Sequence, residues 1–220
     1  MSQPSAAHLR AFVRRQTRLQ PVADVPGVRL QTADDVMRVC ALAGRELGLA
    51  DPPLPYWAFP WAGGLAIARY LVDHPDEVSG RRVVDVASGS GLCAIVAVRA
   101  GAASVLAVDV DPLAEAAVAL NATANRVRIP FRRADLLDDP PIPCDVVLAG
   151  DVCYESTMAE RMLVWLRAAA AAGSRVLIGD PGRAYLPAGL ERLAEYRVRT
   201  SRELEDAEMK AVTVFTVRAA

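Results

Sequence analysis

From residue 79 onward, short apolar runs alternate with longer segments whose apolar positions recur every three to four residues. The runs cover 82–87 (Val83, Val84, Val86), 104–109, 129–134, 144–149 and 175–178. Each is short, bounded by turn residues and rich in Val, Ile and Leu, which predicts buried strands. Helices are predicted over 92–100 (closed by Gly101), from Pro112 to about 126, over 156–172 (broken by Gly173), and as a short piece within 186–195. Asp111 caps the second of these, with Pro112 at the first helical position, where a missing N–H does no harm. Segments 196–200 and 211–217 alternate and predict a terminal antiparallel pair. Strands without a polar face imply a parallel sheet covered on both faces, and right-handed crossovers make it doubly wound. The expected fold is α/β, a doubly wound, mostly parallel seven-stranded sheet with an N-terminal helical extension.

Residues 1–78 follow a different pattern. Leu9, Phe12 and Val13 fall at helical spacing beside Arg10, Arg14, Arg15 and Arg18, with no acid in the first 23 residues. The reading preferred over a targeting peptide is a folded amphipathic helix. Thr32 or Asp34 begins a helix to about Arg45, and Gly48 ends the pattern. Residues 51–60 hold four prolines and cannot be a regular helix. They also hold Tyr56, Trp57 and Phe59, with Trp61 next, and loops seldom carry such aromatics without a pocket or interface to fill. A helix over 63–72 stops at Asp73-His74-Pro75. The chain therefore divides into an extension with its Pro/Trp-rich segment (1–78) and a core (79–220).

Composition narrows the function. The 220 residues are 53% apolar and 23% charged, enough for a core, and the net charge is −1. Such a chain has no general electrostatic drive toward nucleic acid, so none is expected as a partner. All basic residues but Lys210 are arginine. Cysteines 40, 93, 144 and 153 form no CxxC pair and only His8 and His74 could join them, so no metal is expected. No run approaches a membrane span, and reduced thiols suit the cytoplasm. A monomer is the expected state.

In such sheets the ligand binds beyond the carboxyl ends of the strands. Strand one is followed by Ala87-Ser88-Gly89-Ser90-Gly91, a turn that also fits dinucleotide binding. Asp85 changes the balance. A carboxylate there repels a pyrophosphate and favours a ligand with a cationic end, as S-adenosylmethionine has; its other reading is a cap on the turn's N–H groups. Asp109, ending strand two, suits both ribose hydroxyls of an adenosine, with Asp111 as rival. Asp135 and Leu136, after strand three, could meet the adenine amino group and ring, or simply face solvent. Strand four ends in Gly150-Asp151-Val152-Cys153-Tyr154. Asp151 could orient a substrate amine, and Tyr154 could offer it a cation-attracting face; a helix cap and a core Tyr are the structural alternatives.

These stretches, with Pro55-Tyr56-Trp57-Ala58-Phe59-Pro60-Trp61-Ala62-Gly63-Gly64 and Leu177-Ile178-Gly179-Asp180-Pro181-Gly182-Arg183, resemble class I, seven-β-strand methyltransferases of Rossmann-like fold. The nearer resemblance is to the lysine methyltransferases of the electron transfer flavoprotein β subunit, over about residues 50–218. It implies that Trp61, Gly89, Gly91, Asp109 and Gly150 contact S-adenosylmethionine, and that Asp151 and Tyr154 face the target lysine. It also places Trp57 on the substrate side. Arg183 either binds an acidic substrate surface or braces its loop. Family members carry phenylalanine where this chain has Cys153. The expected partner is the flavoprotein β subunit or, alternatively, a ribosomal protein; a small-molecule methyltransferase and a silent scaffold are the other readings.

Overall fold

The computed structural model describes residues 4–48, 54–200 and 207–217. Among these residues, six helices pack around a seven-stranded sheet and a two-stranded one. Part of the proline-rich connector, 51–53, lies outside the described residues.

The core begins with β3 (Arg82–Val86), α4 (Leu92–Arg99), β4 (Ser104–Asp109), α5 (Pro112–Ala124) and β5 (Phe131–Arg133). It continues with β6 (Val146–Gly150), α6 (Ser156–Ala171), β7 (Arg175–Asp180), β8 (Glu191–Arg199) and β9 (Met209–Thr216). The sheet order is β5-β4-β3-β6-β7-β9-β8. β3 pairs in parallel with both β4 and β6, so the order reverses at that point. β9 runs antiparallel to β7 and β8.

The near-continuous apolar strands arise because both sheet faces are covered. Val83, Val105, Val146, Leu148 and Leu177 pack toward α4 and α3 (Ala62–Asp73). Val84, Val86, Val108, Val147 and Ile178 face α6 through Met162, Trp165 and Leu166. Asp111 caps α5 as the sequence predicts, its Oδ1 accepting from Leu113 N–H at 2.7 Å.

Two expectations for the core need correction. The short helix within 186–195 is absent: Pro187 and Gly189 keep the chain in turns, and the alternating residues that follow join β8, which starts at Glu191. The third strand is also shorter than predicted, Phe131–Arg133, because Ile129 and Pro130 stay outside the ladder.

The N-terminal region contains the expected helix α1 (Ala6–Gln16), burying Leu9, Phe12 and Val13. α2 (Val36–Leu47) is capped by Asp35 rather than Thr32 or Asp34, and Gly48 closes it in the left-handed conformation. Between them lies an unexpected hairpin, β1 (Arg18–Pro21) with β2 (Arg29–Thr32). Two asparagines of α5 anchor it. Asn125 accepts from Arg29 N–H at 3.0 Å and donates to Arg29 C=O at 2.6 Å. Asn121, fully buried, accepts from Gln31 N–H at 2.7 Å. α1, α2, α5 and the short turn Tyr56–Ala58 share one apolar cluster, centred on Phe12 and Trp57.

Candidate active site

A cavity of about 580 Å³ opens where the strand order reverses, beyond the carboxyl ends of β3, β4 and β6. Three sets of residues meet in it: the glycine turn with its carboxylates, the aromatic segment, and the residues after β6 with Arg183.

The glycine turn comes first. Gly91 has φ +76, and a Cβ there would stand 2.9 Å from Val118, so the tight passage into α4 requires glycine. Asn121 Nδ2 donates to Ser90 C=O at 2.9 Å and so ties this turn to the N-terminal hairpin. Nothing local in the sequence marks Asn121; a lone asparagine on a buried helix face was the only available sign.

Asp85 lines the cavity and is 2% exposed. Its Oδ2 accepts from Ala94 N–H, in the first turn of α4, at 3.1 Å. Burial pushes its carboxyl up to about 7; the Ala94 hydrogen bond opposes this and the Asp109 charge adds to it. Asp85 thus faces the cavity and caps a backbone N–H of α4 rather than of the glycine turn. Asp109 spans the same end, accepting from Gly89 N–H at 2.9 Å and from Asp111 N–H at 3.0 Å. Burial also raises the Asp109 carboxyl, and takes Asp111 to about 6. Among the described residues, Arg183 is the one cationic side chain in the wall.

Asp135 and Leu136 stand outside this wall. Their loop folds down onto α6. Asp135 accepts from Leu137 N–H at 3.0 Å and meets Arg161 of α6 at 3.4 Å, while Leu136 is buried in the core with Val84 and Val108. These two side chains are therefore not brought into the cavity wall, where Val110 and Leu113 stand beside Asp109.

The aromatic segment forms a side wall. Trp61 donates its indole N–H to Tyr56 C=O at 2.9 Å. The Tyr56 ring lies 5.5 Å from that of Trp61 and 5.1 Å from that of Tyr154. Tyr56 was not singled out in the sequence, although it sits in the aromatic run. Burial, and then the neighbouring Tyr56, take the Tyr154 phenol up to about 12. Trp57 also lines the cavity, but it is 1% exposed and packs against Phe12 at 6.5 Å. It has no free surface to offer a protein partner.

Asp151 follows β6 at φ 57, a strained conformation for a residue with a side chain. Its own N–H donates to Gly179 C=O at 2.9 Å. Its Oδ2 accepts from Gly64 N–H, in the first turn of α3, at 2.9 Å, and its Oδ1 meets Arg183 Nη2 at 2.9 Å. The side chains of Arg183 and Asp151 are 22% and 12% exposed. Burial raises the Asp151 carboxyl, while Arg183 and the α3 N–H groups oppose that rise. The approach of α3 depends on glycine. A Cβ on Gly63 would lie 2.7 Å from Asp151, and one on Gly150 would lie 2.9 Å from Gly64 backbone.

Arg183 is presented by Asp180, whose Oδ1 accepts from Gly182 N–H and Arg183 N–H, both at 2.7 Å. Of the two uses the sequence left open, the geometry favours bracing, with the guanidinium turned onto Asp151. Cys153 is 3% exposed beside this pair, its thiol pushed up to about 12 by burial. Among the described residues no helix is long and apolar enough to cross a membrane, and no cluster of three His, Cys, Asp or Glu is placed to hold a metal.

Residues 71–152 match the family model of ribosomal protein L11 methyltransferase (PrmA). The L11 methylase structure from Lactobacillus delbrueckii subsp. bulgaricus shares the fold, with TM-score 0.52 and 21% identity over 77% of this chain and 89% of that one. The electron transfer flavoprotein beta subunit lysine methyltransferase of Rattus norvegicus is 44% identical over 59% of this chain, which spans only about half of that protein, 51%. Its Xenopus laevis counterpart is 37% identical over 74% of this chain and 69% of its own length. On that likeness, and with the strand order and cavity of the methyltransferase fold, the chain belongs to the electron transfer flavoprotein β-subunit lysine methyltransferase family.

Proposed function

We propose that this chain transfers a methyl group from S-adenosylmethionine to lysine side chains of the electron transfer flavoprotein β subunit. The observation that carries the reading is one cavity lined by the buried carboxylates Asp85 and Asp109 and also by Asp151 with Tyr56, Trp61 and Tyr154. The residues fit the donor. Asp85 is a buried carboxylate facing a space that a cationic ligand end can fill, and Asp109 keeps lone pairs for ribose hydroxyls. The glycine turn allows close backbone approach, and Trp61 offers a flat apolar wall. When bound, S-adenosylmethionine supplies an electrophilic methyl group on a sulfonium.

The protein's part is placement and charge. Asp151, fixed through both oxygens, orients the incoming nitrogen and stabilises the positive charge that develops on it. Tyr56, Trp61 and Tyr154 give that nitrogen aromatic faces instead of water. The lysine proton leaves before attack, because only the neutral amine has a lone pair. The reading includes a monomer without a resident metal, acting on a protein surface in the cytoplasm.

A second substrate is favoured by one observation, the match of residues 71–152 to the L11 methyltransferase model. It makes a ribosomal protein the alternative. Labelled methyl transfer to purified flavoprotein, with ribosomal proteins in parallel, separates them. Label on the β subunit that disappears with Asp151→Ala is the expected result. Label on ribosomal protein alone would replace the substrate. No label on either, with S-adenosylhomocysteine still bound, would overturn lysine methylation of both proteins.

A further inference from the structure

A lysine side chain is an ammonium in water, with a pKa near 10.4, so almost none of it is nucleophilic at neutral pH. A buried carboxylate alone would make this worse, since an opposite charge favours the ammonium. Asp151 is not alone. Arg183 Nη2 lies 2.9 Å from its Oδ1, and the α3 terminus donates to its Oδ2. The pair is mostly out of water, so its charges are weakly screened.

We infer that Arg183 is a positioning residue that sets the charge state of the target lysine, making the site accept the nitrogen as a neutral amine. Asp151 enters the site already neutralised by a guanidinium and by a helix terminus. An ammonium placed beside it feels the Arg183 charge as well as the carboxylate, and a cationic neighbour is a recognised way to activate an amine. The proton passes to solvent as the side chain enters, leaving the lone pair on nitrogen. Asp180, Gly182 and the Asp151 backbone fix the arrangement before any substrate arrives. The inference rests on the lysine-methylating reading above.

The other groups facing this pair are few. They are Asp180 from β7, Cys153 and Tyr154 after β6, Tyr56 from the short turn, Cys93 from α4, and the Gly63 and Gly64 N–H groups of α3. Burial raises both thiols and both phenols, taking the Cys153 thiol and the Tyr154 phenol to about 12. Asp85 and Asp109 line the same cavity and are felt by Cys93 and Tyr154 respectively, so the assay keeps S-adenosylmethionine saturating, whose cationic end favours their ionised forms.

The test is single turnover of the full chain on purified flavoprotein, from pH 6.5 to 10.5, at saturating substrate and S-adenosylmethionine. Under these conditions the ascending limb of the pH–rate profile reports the amine in the bound complex. Wild type should rise at least one unit below free lysine. Arg183→Gln should move the limb up by about one unit, losing about tenfold at pH 7.5 and much less at pH 10, without a rise in KM. Arg183→Lys should keep the wild-type limb. A wild-type limb near 10.4 would overturn the inference whatever the variants do. So would an Arg183→Gln rate lowered by one factor at every pH, which is what simple loop bracing predicts. A wild-type chain that binds S-adenosylhomocysteine yet methylates nothing would overturn the functional reading, and this inference with it.

Discussion

The two ends of the cavity handle buried carboxylate in opposite ways. Burial raises all three carboxyls, but Asp85 and Asp109 are held by backbone N–H groups alone. Asp151 is held by a backbone N–H and a guanidinium. An end without a cation of its own gains most from a ligand that brings one. An end already neutralised gains little from a standing cation and can serve charge that develops during reaction. Charge accounting within one 580 Å³ space thus separates a place for binding from a place for chemistry.

The strongest way to break this comparison is to exchange the deletions. Asp151→Asn should lower the rate of methyl transfer by roughly a thousandfold and leave S-adenosylhomocysteine affinity within about threefold. Asp85→Asn should weaken that affinity by roughly a hundredfold, the cost of removing one partner from a buried charge pair. Calorimetry and single-turnover rates on both variants decide it. Equal losses of affinity in the two would mean that the ends are not specialised.

A smaller effect sharpens the chemical end. Gly63→Ala puts a Cβ 2.7 Å from Asp151, and backbone surrounds it, so α3 must move away from the sheet. A stability loss of about 3 kcal/mol by urea unfolding is expected, with lost turnover because α3 no longer holds Asp151. Full turnover in a destabilised variant would show that α3 does not set the carboxylate.

The binding end has its own signature in pH. The folded-state carboxyl of Asp85 lies at about 7, above the ordinary value of 3.8. The folded state therefore holds the proton more tightly than the unfolded state, and the associated stability is present at low pH and lost as pH rises toward about 7. Relative to Asp85→Asn, the ligand-free protein should lose about 2 kcal/mol between pH 5 and pH 7. Bound S-adenosylhomocysteine should shrink that loss, because its ammonium favours the ionised carboxylate. A pH-independent difference would place the Asp85 proton elsewhere.

The binding end was more legible in the sequence than the chemical end. Gly89, Gly91, Asp109 and the Asp111-Pro112 cap are local signals, and local sterics and hydrogen bonds produce them. Asp151 and Tyr154 were visible from their place after a strand. The partner of Asp151 was not, because Arg183 is 32 residues away and only the β6–β7 pairing brings them together. The hairpin was hidden for a similar reason. Its four-residue strands are largely polar, and asparagines 90 and 96 residues away hold it. That Asp135 and Leu136 turn away from the cavity was hidden because a position after a strand does not reveal which way a loop folds. Trp57 was placed on the substrate side, but Phe12 of α1 packs against it and buries it.

The smallest effect concerns a second ion pair of similar geometry in another setting. Arg15 Nη2 lies 2.7 Å from Glu46 Oε2, shorter than the Arg183–Asp151 contact, yet the side chains are 52% and 34% exposed. Water screens this pair from both sides, and ordering two long side chains offsets most of the attraction. Arg15→Ala should therefore change stability by less than about 0.5 kcal/mol, and the change should vanish in 1 M salt. Methyl transfer and its pH limb should be unaffected, since α1 meets the cavity wall through buried apolar side chains such as Phe12 against Trp57 and Arg15 is not in that wall. A shifted limb would mean that arginine charge acts on the site from a distance, and the local pairing at Asp151 would lose its special place. An unshifted limb, beside a shifted one in Arg183→Gln, would tie the effect to the 2.9 Å contact itself.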